Sequence, residues 1–301
     1  MRPAVTVPAP TTRMLRVAAV FALLALLGGC AMVRVAYNNA EPLVRYMADD
    51  YFDLNEKQNE QFRKRLLQFH DWHRGNELPV YAELLRQAAQ KGANGVSRED
   101  VAWAAQALRE RYAVLITKAI EDAAPILVTL TAPQIEELEK RFAKANDKFA
   151  REFLPEDERK RHRAQLKRTL GRFSEWTGTL TEAQEARIER FVKAHAHTTA
   201  MRFDHRRIWQ REVVSLMRQH RSPQMLAPLL ADIFTQPAAH RTPEYTAVLA
   251  RWEAHLTDLI IDIDRTLSPE QRAHALRRVE RYAEDFEALS AQGSVAAAAG
   301  N

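Results

Sequence analysis

The chain has 301 residues, 46% of them hydrophobic and 28% charged, with a formal charge of +5 and a single cysteine. That length carries a large core in one or two domains, and one cysteine excludes an internal disulfide, so stability must come from packing. Three arginines, Arg2, Arg13 and Arg16, fall in the first 29 residues, where no acidic residue stands; beyond them 41 basic residues face 39 acidic ones, a balance that gives no case for nucleic acid as a partner.

In chain order, Arg13 and Arg16 precede the uncharged apolar run VAAVFALLALL at 17–27. A bilayer span needs about 20 such residues, so these 11 read as the core of a signal peptide over 1–29. The ending Leu27-Gly28-Gly29-Cys30 resembles the bacterial lipobox. The resemblance implies that Cys30 is acylated, with palmitate among its chains, becomes the first residue of the mature protein and holds it to a membrane. Ala31, where an aspartate would imply retention at the inner membrane, implies the periplasmic face of the outer membrane. Residues 30–40 then form a short lipidated tether.

Glycine is scarce and apolar residues recur at helical steps, as in Ile135, Leu138 and Phe142 or Trp252, Leu256 and Leu259. The fold class is all-α, a bundle of about eight to ten helices. Gly75, Pro79, Gly92, Gly95, Pro155, Gly178, Pro223, Pro237 and Pro269 punctuate it. The pattern predicts helices over 41–52, 56–74, 79–91, 98–129, 132–153, 156–176, 182–220, 223–235, 243–266 and 269–290. The helical domain is 41–290, with a diverged duplication giving halves 41–178 and 179–290, and 291–301 reads as a disordered tail.

One motif recurs four times: Leu54-Asn55-x-x-Gln58, Leu130-Thr131-x-x-Gln134, Leu180-Thr181-x-x-Gln184 and Leu267-Ser268-x-x-Gln271. The residue after leucine is an N-cap, and glutamine at the third helical position reaches back to the cap's own N–H, forming a capping box. Each copy opens a helix with an apolar residue four and eight places beyond the glutamine, such as Leu138 and Phe142 or Ile188 and Val192. Loss of Thr131 or Thr181 is expected to cost ~1 kcal/mol, and loss of Gln134 somewhat less. Leu-Thr-x-x-Gln resembles the signature of the all-helical periplasmic proteins of the Spy type, which include stress-induced chaperones and zinc-responsive relatives.

A second resemblance rests on WHRGNELPVY at 72–81, through Trp72, His73, Arg74, Glu77, Leu78, Pro79 and Tyr81. It is similar to an uncharacterised family of proteobacterial helical lipoproteins, which carries no activity over to this chain. Read as residues, Gly75 ends one helix, Pro79 starts the next, Arg74 either pairs with Glu77 or caps carbonyls, and Trp72 and Tyr81 close the corner. The corner is either a structural hinge or a ligand-facing aromatic and basic surface.

His70 with His73, and His195, His197 and His205, lack the three or four converging ligands that zinc needs, so no metal is expected. No GxSxG, HExxH, P-loop or GxGxxG occurs, so neither an enzyme, catalytic residues nor a cofactor is expected. Of two basic runs, 159–168 and 202–211, the second interleaves Phe203 and Trp209 with Arg206 and Arg207, which makes it the candidate partner surface. These readings converge on a lipid-anchored periplasmic protein that binds other envelope proteins, with a Spy-like chaperone or stress role. The alternatives are an assembly lipoprotein with one dedicated partner and a zinc-binding protein.

Overall fold

The computed structural model describes residues 30–299, with side chains over 33–292; the signal segment 1–29 and the end of the predicted tail lie outside the described residues. The residues up to Ala40 form one unit and those from Glu41 on another. In the first, α1 (Cys30–Asn38) replaces the predicted tether, and Asn39 Nδ2 closes its last turn by donating to the Val35 carbonyl at 2.8 Å.

Further on the order is α2 (Ala40–Phe52), α3 (Glu56–Trp72), a π-helical turn (His73–Glu77), α4 (Leu78–Gly92), α5 (Arg98–Leu127), α6 (Ala132–Phe153), α7 (Glu158–Thr177), α8 (Glu182–Ala194), α9 (Thr198–Gln219), α10 (Pro223–Thr235), α11 (Pro243–Asp264) and α12 (Pro269–Ala299). No strand occurs among the described residues. The fold class is therefore all-α, a multi-helix bundle.

Three departures from the predicted elements have physical causes. The break expected at Gly75 is absent: helix runs through from Glu56 to Gly92, the Leu78 N–H reaching the His73 carbonyl in a π-type bond while Asn76 Nδ2 donates to the Trp72 carbonyl at 2.9 Å. The single helix expected over 182–220 is broken at 195–197, where no glycine or proline stands. There the buried His195 turns onto α11, its Nε2 3.0 Å from His255 Nδ1, and the backbone tightens into bonds of three-residue span. The last helix passes its predicted end at 290 and continues through the alanine-rich stretch to Ala299, in keeping with alanine's helix propensity.

The most extensive packings are α4 on α12 and α5 on α10, so each joins an element before residue 178 to one after it. Two apolar clusters result. The larger takes Leu54, Ile126, Leu130, Ile135, Leu138, Val214, Met217, Leu226 and Leu230, with Phe62, Phe142 and Trp209 packed against it. The smaller takes Ile188, Val192, Leu259 and Ile263, with Leu180 and Leu267 at its edge.

Candidate functional site

The four motifs open α3, α6, α8 and α12, where the capping boxes form. Gln58 Oε1 accepts from the Asn55 N–H at 3.0 Å, Gln134 from Thr131 at 3.0 Å, Gln184 from Thr181 at 2.9 Å and Gln271 from Ser268 at 3.0 Å. The return bonds run from the Gln58, Gln184 and Gln271 N–H groups to Asn55, Thr181 and Ser268, whereas the Thr131 hydroxyl is turned onto Gln134 Oε1 at 3.2 Å. All four glutamine side chains are buried.

Capping uses only the oxygen of each amide. The Nε2 group keeps two N–H donors, which burial obliges to find acceptors. They find them across the fold. Gln134 Nε2 donates to Gln58 Oε1 at 2.7 Å and Gln58 Nε2 to Gln134 Oε1 at 3.3 Å, a reciprocal amide pair. Gln184 and Gln271 form the same pair at 3.1 and 3.0 Å. Each Nε2 also donates to the carbonyl just before the partner motif's leucine: Gln58 to Thr129 at 3.2 Å, Gln134 to Asp53 at 2.7 Å, Gln184 to Thr266 at 3.1 Å and Gln271 to Thr179 at 2.6 Å. The motif thus makes two glutamine clasps, each tying two helix starts. Sequence reasoning found the caps and missed the clasps; the unspent amide donors and the similar separations of 76 and 87 residues were the available signal.

The corner residues meet two other helices. Arg74 Nη1 donates to the Leu289 carbonyl and to Gln292 Oε1 on α12, both at 3.3 Å, while the buried Glu77 faces Arg111 of α5 at 3.5 Å. Leu78 is fully buried and Pro79 occupies the first turn of α4. His73 lies between Phe69 and Tyr81, with ring centroids 6.2 and 5.6 Å away, and Tyr81 meets Phe286 at 6.0 Å. Trp72 packs on Phe69, and Lys118 Nζ lies over its ring at 6.0 Å. Burial, helped by the neighbouring His70, pushes the His73 imidazole down to about 4, so it is neutral at neutral pH.

From this corner an apolar groove runs along α4 and α5. Tyr81, Leu84, Leu85 and Ala88 line one wall; Trp103, Ala104, Ala107, Leu108, Tyr112 and Leu115 line the other; Arg111 and Phe286 close the corner end. Its volume is about 440 Å³, and Leu108 stands 72% exposed on its lip. Alanines at three lining positions leave the backbone open to close approach. The sequence pattern gave helices here without showing that α4 and α5 meet only lightly, which is what leaves the groove open.

The basic–aromatic segment on α9 is divided between core and surface. Trp209 packs into the larger core, with Phe142 at 6.1 Å and Phe234 at 5.5 Å. Phe203 stacks on Phe149 of α6 at 5.4 Å, and Arg206 lies over the same ring. Arg207 alone of the four is exposed. Trp209 leads a stripe with Val213 and Met217 at four-residue steps, and such a stripe faces inward. Among the described residues no three His, Cys, Asp or Glu side chains gather closely enough to hold a metal ion.

Fold and site together define an all-α protein whose helix starts are tied in pairs by buried glutamines and whose α4–α5 face carries an apolar groove. The chain belongs to the family of unknown function DUF6279, whose model matches residues 50–246. The matched stretch contains the first clasp, the corner and the groove apart from Phe286, and ends before Gln271. No curated protein and no solved structure matches the chain.

Proposed function

We propose that this is a lipid-anchored periplasmic binding protein, acylated at Cys30, held on the inner face of the outer membrane and taking apolar segments of envelope proteins into the α4–α5 groove. The groove carries this reading. Its lining residues recur at helical steps on both walls, the arrangement that accepts the apolar face of an added helix or an exposed apolar stretch. The lipobox-like Leu27-Gly28-Gly29-Cys30 supports the anchor, and no helix among the described residues is long and apolar enough to cross a membrane. The LTxxQ motifs support a Spy-like chaperone role, and the WHRxxELPxY residues support kinship with proteobacterial helical lipoproteins. The binding role requires no chemistry from the protein.

The test combines labelling with a client assay. Palmitate label should reach the wild type and be lost in Cys30→Ser; label that persists sinks the anchor. The purified chain should suppress aggregation of several unrelated denatured proteins, and Leu108→Asp/Tyr112→Asp should lose that effect with circular dichroism unchanged. Failure with every client, together with proximity crosslinks concentrated on one protein, would instead favour an assembly lipoprotein with one dedicated partner.

A further inference from the structure

α2 carries two apolar faces. One, through Ala48, Tyr51 and Phe52, packs on the larger core. On the opposite side Leu43, Tyr46 and Met47 are 60, 70 and 51% exposed. Positions 43, 46 and 47 lie one turn apart on one side of the helix, so they form a contiguous patch rather than scattered surface residues. Arg45 and Arg63 share the carboxylate of Glu41 beside it, and Asp49, Glu56 and Glu60 line the adjoining hollow, so carboxylates outnumber guanidinium groups around the patch.

We infer that this second face of α2 lies against the bilayer surface. The inference rests on the acylation of Cys30 proposed above. Leu43 follows Cys30 by thirteen residues. Eight of these positions are wound into α1 with Cys30, and Leu43 itself lies in α2, so the path spans no more than about 25 Å even with its intervening residues extended. The headgroup zone on each side of the hydrocarbon is about 5–8 Å deep. A lipidated Cys30 therefore keeps the patch within reach of the interface at all times, where its effective concentration is high. Leucine and methionine gain by entering the acyl boundary, and Tyr46 has the apolar body and polar tip that suit the headgroup level. The excess of carboxylates offers no attraction to anionic headgroups, so the contact is apolar in origin, and raising salt, which screens that repulsion, leaves it in place.

The experiment reconstitutes the full chain, purified from the membrane fraction, into vesicles of phosphatidylethanolamine and phosphatidylglycerol containing a trace of photoactivatable phospholipid. Lipid adducts are then mapped by peptide mass, alongside the acyl state of Cys30. Adducts on the 42–52 peptide are expected. They should fall about tenfold or more in Leu43→Glu/Met47→Glu, since each such side chain withdrawn from an apolar medium is worth about that factor. Melting should not change, because neither residue is in the core. Acylated Cys30 without adducts on 42–52 overturns the face and leaves the anchor. Adducts on 42–52 without acylation keep the face and remove the anchor. Neither result appearing overturns both, and crosslinks from this peptide to a second copy or to residues 1–29 instead of lipid overturn the face.

Discussion

The two glutamine clasps have the same wiring and different surroundings. Around Gln58 and Gln134 both motif leucines are buried in the larger core, whereas Leu180 and Leu267 lie half-buried at the edge of the smaller one. The chain also reaches them differently. Asp53, immediately before the first motif, adopts a left-handed backbone with φ 48°, a conformation aspartate tolerates better than most residues, while before the third motif the positive φ, 80°, falls one residue earlier, at Gly178. The hydrogen bonds persist across these changes because each depends on one amide at one spacing. Apolar packing has no such fixed geometry and accepts many side chains of suitable volume. The polar wiring is therefore the common element of the two regions, and the cores are particular to each.

The most disruptive change removes the amide and keeps its volume. Gln134→Leu and Gln184→Leu should each lower stability by about 3–4 kcal/mol, because several buried partners lose their bonds at once. Urea unfolding of both measures this, and a difference beyond about 2 kcal/mol would end the equivalence of the clasps. Trp209→Ala should cost about 3 kcal/mol by leaving a void beside the first clasp's core. The effect belongs to stability: pull-down yield from envelope extract at a temperature where the variant stays folded should match wild type. A smaller effect tests the pairing itself. Gln58→Ala and Gln134→Ala should couple by about 1–2 kcal/mol in a double-mutant cycle, while Gln58→Ala with Gln184→Ala should add within about 0.5 kcal/mol. Coupling across the clasps as large as within one would show a single network. Least of all, Thr181→Ala should cost about 1 kcal/mol and Thr131→Ala, whose hydroxyl is turned onto Gln134 Oε1, less than that, detected as small shifts in the unfolding midpoint.

The first and last of these sizes reverse the sequence expectation that threonine outweighs glutamine in the motif. From sequence, the glutamine has one visible task, the cap. Its second task needs a partner about 80 positions away, and no local pattern encodes which of three other glutamines that is. Helices were legible for the opposite reason: apolar spacing and caps act within a few residues, so α6 and α10 match their predicted spans. Where tertiary contacts set the backbone, legibility fails. The break at His195 depends on His255, sixty residues away, and carries no glycine or proline to announce it. Trp209 misled because its arginine neighbours in sequence suggested an interface, while its four-residue stripe with Val213 and Met217 already gave the inward direction. The groove was hidden by the same limit, since it arises from the loose approach of two helices whose individual patterns are ordinary.

The π-helical turn acts as a gear between α3 and α4. An α-helix advances about 100° per residue, so one residue more than the regular count rotates everything beyond it by that amount while the axis continues. Upstream of His73 the helix presents its packing side to α5; downstream it presents a different side to α12 and leaves Tyr81, Leu84, Leu85 and Ala88 along the groove. A single continuous rod thereby serves two neighbours that a straight helix of the same sequence would address in turn with the wrong residues. Loss of one residue between His73 and Glu77 would restore regular winding and re-aim the whole groove wall, with no lining side chain altered.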